Sequence, residues 1–421
     1  MRALKYSGVE WIGDIPTEWK VYPVRYAFSE NREKNTEGLV TNALQFKFGT
    51  IIPKNNFDAD EDNYVADTIT NYTIVEPRMI MINGLNLNYD LKSLRVGMVK
   101  EKGVITSAYL SLIPDETIID AEFATYLFKG YETKMAFHNM GAGIRKTLGF
   151  KEFKNQPILV PNLAEQQVVV RFLDDKLAEI DTVIEKTKAT IEEYKKLKQS
   201  VITEAVTKGI RGNRAMKDSG VEWIGDIPAE WNVKKLKYTS EFKQNKYNEA
   251  DGDLTYIGLE NIVAWNGQYI ETASEYDKEQ SLICEANDIL FGKLRPYLAK
   301  VYISPKKQCC SGEFCVIAIK EQNTKFMWYQ LISHGFIFMV DRSTYGTKMP
   351  RANADYVKNM SVSIPSLEEQ EEIADFLDRK CAKFDKLIAD KTHLLEEMES
   401  YKMSVLYEYV TGKKEVNNIN G

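Results

Sequence analysis

The sequence predicts an α+β protein in which two globular domains are separated by a pair of long antiparallel coiled-coil helices, with a pseudo-two-fold internal repeat. Three observations predict it. A 13-residue motif is written twice, a long helical stretch with an apolar seam occurs in each half, and strand-like runs separated by Gly, Asn and Asp fill the segments between.

The motif runs from Ser7 to Trp19 and returns from Ser219 to Trp231 with 12 of 13 residues identical, Thr17 being answered by Ala229. A second repeated block follows in each half. Pro161-Asn162-Leu163-Ala164-Glu165-Gln166 matches Pro365-Ser366-Leu367-Glu368-Glu369-Gln370, and the match continues through Phe172-Leu173-Asp174 and Phe376-Leu377-Asp378 to Val206-Thr207 and Val410-Thr411. The offset falls from 212 to 204, so the first insert is eight residues longer than the second. Six segments result: an N-terminal motif (1–19), a first variable domain (20–155), a central helix with the second motif copy (156–231), a second variable domain (232–360), a C-terminal helix (361–412) and a polar tail (413–421). A duplicated frame holding two unlike inserts implies one scaffold carrying two different recognition surfaces. Two domains drifting freely would not have kept the frame alike.

Within the variable domains, Thr73-Ile74-Val75, Met79-Ile80-Met81-Ile82, Ile289-Leu290-Phe291 and Cys315 to Ile319 read as strands of a small, mostly antiparallel sheet. Ala121–Tyr131 and Phe326–His334 read as helices.

Leu163 to Lys208 contains no Pro or Gly and is rich in Leu, Lys, Glu, Ala and Ile. Alternating steps of four and three give Leu173, Leu177, Ile180, Ile184, Thr187, Ile191, Tyr194, Lys198, Val201 and Ala205, a coiled-coil seam. The second half gives Leu377, Cys381, Phe384, Ile388, Lys391, Leu395, Met398, Lys402, Val405 and Tyr409. Both seams are interrupted at the same two places, Thr187 with Lys391 and Lys198 with Lys402. Such residues either fix register or turn outward to solvent. Leu173, Leu177, Ile180, Ile184, Leu377, Phe384, Ile388 and Leu395 are the candidates for helix spacing and partner contact. Each helix would extend roughly 68 Å at 1.5 Å per residue. Symmetry then asks the N-terminal motif to sit where the second helix ends, bringing the chain termini near each other.

The formal net charge is −6 over 421 residues, which taken alone argues against nucleic acid. By segment the picture changes: 20–155 is neutral, 232–360 carries +2, and the negative charge lies on 156–231 (−2), 361–421 (−5) and 1–19 (−1). Apolar runs are too short to span a bilayer, and the N-terminus has no secretory apolar core, so a cytoplasmic protein without membrane contact is expected. Five cysteines and three histidines without ligand spacing read as reduced thiols and packing residues, with no metal site.

Basic groups beside Asn, Tyr and Gly form the candidate binding loops. The second domain offers Lys293, Arg295 and Tyr297, then Lys348, Arg351 and Asn353; the first offers Asn83, Asn86 and Arg95, then Arg145 and Lys146. Arg and Lys grip phosphates or guanine edges, and Asn pairs with adenine. Amino-methylation, phosphate-loop, dinucleotide and nucleophile-elbow motifs are absent. One enzymatic alternative remains, a metal-dependent DNA nuclease using Asp115, Glu132 and Lys134.

The layout resembles the specificity (S) subunit of type I restriction-modification systems, through the motif at 7–19 and 219–231, the blocks at 161–174 and 365–378, and Asp288-Ile289-Leu290-Phe291-Gly292-Lys293-Leu294-Arg295-Pro296-Tyr297. The first domain departs from that last run, with Met79 at the position of Asp288. The resemblance implies a non-catalytic subunit whose variable domains are target-recognition domains. Each would read one half of a split, asymmetric sequence in double-stranded DNA, with the helices as ruler. It implies partners too: two modification (methyltransferase) subunits binding S-adenosylmethionine, and restriction/translocase subunits using ATP and Mg²⁺. No cofactor is then bound by this chain.

Overall fold

A computed structural model of the chain describes residues 2–54, 69–87, 94–140, 147–272, 281–346 and 348–416. It contains two compact units, one of residues 1–187 with 393–421 and one of 188–392.

The first unit opens with a hairpin in which Leu4–Tyr6 pairs with Asp14–Pro16. Strand Lys20–Pro23 then pairs antiparallel with Pro157–Val160, so the insert leaves and re-enters the frame on neighbouring strands. Between them lies a four-stranded antiparallel sheet in the order Phe28–Glu30, Leu110–Pro114, Ile80–Ile82, Val96–Met98. Helix Ala121–Glu132 buries Phe123, Leu127 and Phe128 in the same core. Asp120 caps it by accepting hydrogen bonds from the Glu122 and Phe123 amides at 2.9 Å.

The second unit repeats this plan. Met216–Asp218 pairs with Asp226–Pro228, Asn232–Lys235 with Ser361–Ile364, and the sheet order is Ser240–Lys243, Phe314–Ile319, Ile289–Gly292, Val301–Ile303. The helix expected at 326–334 is two helices, Thr324–Leu331 and His334–Arg342, because Ser333 takes an extended backbone and restarts the second as its N-cap. The inserts differ in their peripheral strands. The first unit adds the hairpin Leu44–Lys47 with Thr50–Pro53, whereas the second adds a sheet of Tyr256–Ile257, Gln308–Cys310 and Leu282–Cys284.

In each unit the Trp motif binds the Pro-x-Leu-x-Glu-Gln block of that same unit. In the first unit the Trp19 indole N–H donates to Glu165 at 2.9 Å, and Arg2 pairs with the same carboxylate. In the second unit Trp231 donates to Glu369 at 2.9 Å, again with an arginine, Arg214, on that carboxylate. The following glutamine is equally committed. Gln166 accepts from the Asp120 amide at 2.7 Å and donates to the Pro161 carbonyl at 2.8 Å. Gln370 does the same with the Asn323 amide (2.9 Å) and the Pro365 carbonyl (3.0 Å). Pro-x-Leu-x-Glu-Gln is thus a clasp: its Glu holds the Trp motif and its Gln holds the cap of the insert's helix.

The long helices are Leu163–Lys208 and Leu367–Val410. Within each unit their segments pack antiparallel. Phe172 lies against Tyr409 and Asp181 pairs with Lys402 in the first unit, and Tyr194 lies near Phe384 with Lys198 on Asp385 in the second. Three of the four polar interruptions are therefore buried or paired. Thr187 and Lys198 are buried, and Lys198 and Lys402 sit at matching positions of the repeat and reach matching aspartates. The Tyr407 hydroxyl donates to the Trp11 carbonyl at 2.6 Å, so the N-terminal motif meets the end of the second helix, as the repeat requires.

Candidate nucleic-acid interface

In the second unit the two basic clusters, more than 50 residues apart in sequence, form one surface. The loop 293–300 joins strands Ile289–Gly292 and Val301–Ile303, and residues 350–352 lie along it. The Arg295 amide donates to the Pro350 carbonyl at 2.7 Å, and the Ala352 amide to the Lys293 carbonyl at 2.9 Å. Lys293, Tyr345, Arg351 and Asn353 line a cleft of about 320 Å³. Arg295, Lys348 and Tyr297 are exposed at this edge. Arg295 holds φ +50°, which turns the backbone sharply just before Pro296.

Two residues of the cluster are committed internally. Arg351 grips Glu313 at 2.9 Å and its guanidinium is held further toward the charged form by that carboxylate, so its charge is already matched. The Asn353 side chain accepts from the Asp355 amide at 2.7 Å and caps helix Ala354–Asn359. Both act to shape the cleft.

In the first unit the described residues 83–87 and 94–95 lie at the equivalent edge, next to strands Ile80–Ile82 and Val96–Met98. Asn86 is exposed and has φ +52°, the counterpart of Arg295. Asn83 is half-buried and its side-chain oxygen accepts from the Leu85 amide, fixing the turn. Gly84 is needed there because a Cβ would lie 2.4 Å from the Leu148 carbonyl oxygen. Arg95 departs from its expected role. It is 1% exposed, and its guanidinium donates to the Asn83 and Leu85 carbonyls at 3.0 and 2.8 Å. It builds the loop from beneath and cannot reach a ligand. Arg145 and Lys146 lie outside the described residues.

The helix candidates pack along the seam. Leu173, Leu177, Ile180 and Ile184 are buried in the first unit's core and Leu377 in the second's, while Phe384, Ile388 and Leu395 are half-buried along the seam. They hold the helices together and present little to a partner. Sequence reasoning passed over the exposed apolar residues one position before the seam. Val183 and Leu387 are 44% and 42% exposed, Leu197 and Tyr401 51% and 45%. Each pair is related by the helix offset of 204, a signal present in the repeat itself.

The departure at Met79 has a structural cause. Asp288 is buried and both its oxygens accept from Lys243, at 2.8 and 2.7 Å. At the matching positions of the first unit stand Met79 and Asn31, and the Asn31 amide contacts the Met79 sulfur at 3.5 Å. An ion pair in one repeat is replaced by a neutral pair in the other, both positions changing together. Neither pair belongs to the binding edge.

The nuclease alternative finds no support in the geometry. Asp115 accepts from Thr117 in its own turn, Lys134 lies 4.7 Å above the Tyr407 ring, and the half-buried Glu132 accepts from the Arg95 amide. Burial pushes the Glu132 carboxyl up to about 7, with Arg95 and Lys129 opposing the shift. No cluster of three or more potential metal ligands occurs among the described residues.

A frame used twice thus carries unlike loops at the same sheet edge of each unit. The sequence model of the type I restriction modification DNA specificity domain matches the chain twice, over 94–193 and 228–399, and the chain belongs to that family. It is a non-catalytic specificity subunit. The MjaVIII type I restriction enzyme specificity subunit of Methanocaldococcus jannaschii is 24% identical, over 96% of this chain and 95% of that one. The Escherichia coli EcoDI specificity subunit is 22% identical over 75% and 74%. Among solved structures, a chain from a study of assembly and conformational transition in the type I system aligns with TM-score 0.69 at 12% identity, covering 95% of this chain and 99% of that one. The HsdS subunit of Thermoanaerobacter tengcongensis aligns with TM-score 0.50 at 12% identity, covering 95% and 98%. No helix among the described residues is long and apolar enough to cross a membrane.

Proposed function

We propose that the chain reads a bipartite, asymmetric sequence in double-stranded DNA, one half through each insert, and holds the other subunits of a type I restriction-modification complex in place. The observation that carries this reading is a repeated clasp, Trp19–Glu165 and Trp231–Glu369, presenting unlike edges. Asn83 and Asn86 stand at one edge, and Lys293, Arg295, Tyr297 and Lys348 at the other. Arg and Lys supply phosphate grip and guanine readout, and Asn suits adenine. Unlike edges suit unlike half-sequences.

Two modification subunits suit a frame that is itself double. The exposed apolar positions Val183 and Leu387, and Leu197 and Tyr401, recur at one heptad position in both helices and offer the same contact to the same partner twice. Those partners bring S-adenosylmethionine for adenine methylation, and restriction/translocase subunits bring ATP and Mg²⁺, all in the cytoplasm. Sequencing methyl-adenine in cells with and without this chain tests the reading: a split motif should gain methylation only when the chain is present. Exchanging residues 20–155 for those of a relative should alter one half of the motif alone. A change in both halves would refute the assignment of one half to each insert.

A further inference from the structure

The hairpin Leu44–Lys47 with Thr50–Pro53 ends in a two-residue turn, Phe48-Gly49. Both residues have positive φ, +47° and +73°, the type I′ geometry that favours Asn, Asp or Gly at its first position. Phe48 is an outlier there on two counts. A bulky side chain in the left-handed region is strained, and its ring, 83% exposed, recovers almost nothing by burial. A large apolar group held at a cost and left mostly in solvent is a group presented to something else.

The tip is rigid and well placed. The Thr50 hydroxyl donates to the Lys47 carbonyl at 2.6 Å across the turn. Gly49 is buried against Leu94, so closely that a Cβ there would lie 2.9 Å from the Leu94 Cβ. Leu94 stands just before Arg95, whose carbonyl accepts from the Asn83 amide at 2.8 Å and whose guanidinium donates to the Leu85 carbonyl at 2.8 Å. Phe48 and the exposed Lys47 therefore flank the edge read above as the DNA surface of this unit. The second unit also has an exposed aromatic at its corresponding edge, Tyr297, 43% exposed, in the loop after Ile289–Gly292.

We propose that Phe48 is a DNA wedge: its ring inserts between two stacked base pairs of the half-sequence read by the first unit, while Lys47 holds the adjoining phosphate. A rigid tip carrying one apolar ring beside a cation suits a base step, where unstacking is offset by ring–base contact and sequence is read through the ease of deformation. The proposal rests on the DNA reading of that edge.

The test uses the full chain assembled with its modification subunit, selected against duplexes with a randomised centre. Wild type enriches a split sequence. Phe48→Ala and Phe48→Gly bind the selected duplex on the order of tenfold more weakly, lose preference at one base step in one half, and keep the other half unchanged. Phe48→Trp retains both. Because glycine tolerates the turn, Phe48→Gly has a thermal midpoint no lower than wild type, so weaker binding is not misfolding. With 2-aminopurine at that step, fluorescence rises on binding wild type and not on binding Phe48→Ala. If Phe48→Ala enriches the same sequence with affinity within about twofold and the same fluorescence rise, the wedge is refuted and the DNA reading stands. If wild type enriches no sequence, the DNA reading itself fails.

Discussion

Replacing Glu369 by Ala tests the clasp most sharply. The Glu369 side chain is 4% exposed and accepts from the Trp231 indole and from Arg214, whose side chain is 13% exposed. Its removal leaves the buried Trp231 indole N–H without its acceptor and takes from Arg214 its buried carboxylate, leaving that guanidinium only the exposed Glu230 and the Arg211 carbonyl. The expected cost is about 3–5 kcal/mol, the range for breaking a buried charge pair from one side. The matching change, Glu165→Ala, removes the same partners from a carboxylate that is 21% exposed, so water can replace it in part. About 1–3 kcal/mol is expected there. Two units make global unfolding a poor measure. Hydrogen exchange under native conditions reports each unit separately: Glu369→Ala should lower protection across Asn232–Lys235 and Ser361–Ile364, and Glu165→Ala across Lys20–Pro23 and Pro157–Val160. Losses below about 1 kcal/mol for Glu369→Ala, or a larger loss for Glu165→Ala, would refute the argument that burial of the clasp sets its worth.

Three further outcomes follow from the same reasoning. Asp385→Ala should destabilise the second unit by more than Asp181→Ala destabilises the first, because Lys198 is 10% exposed and Lys402 36%; paired hydrogen-exchange measurements check it, and equal losses would refute it. Asp288→Met alone leaves Lys243 without its buried partner and should cost about 3–5 kcal/mol, whereas adding Lys243→Asn, which recreates the Asn31–Met79 pair, should recover much of it in a double-mutant cycle. Glu132 makes the first unit pH-sensitive. Its folded pKa, about 7, lies above the ordinary 4.5, so the folded state keeps the proton longer. The resulting stability is full below the ordinary value and falls by about 3 kcal/mol as pH rises through about 7. Glu132→Gln should remove that slope and stabilise the unit at pH values above it; an unchanged slope would refute the assignment.

The sequence by itself determined the duplicated frame, the helices and the antiparallel seam. Each is written in local periodicity or in self-similarity, and two copies of Glu-Gln after Pro-x-Leu are visible without coordinates. It also placed two candidate loops of the second unit that share one edge. What the tertiary structure decided was which residues in the candidate loops are available. Arg95, Arg351 and Asn353 have the chemistry of nucleic-acid contacts, yet Arg95 is sealed under its own loop, Arg351 is matched by Glu313, and Asn353 caps a helix. Residue type gives what a side chain can bond; only packing gives what it has already bonded. Five of the eight seam residues, Leu173, Leu177, Ile180, Ile184 and Leu377, are buried, because an apolar residue at a seam position packs into its own unit's core. Phe48 shows the converse. A phenylalanine between Lys47 and Gly49 reads as an ordinary core residue, and only its left-handed backbone and bare ring mark it as a residue facing outward.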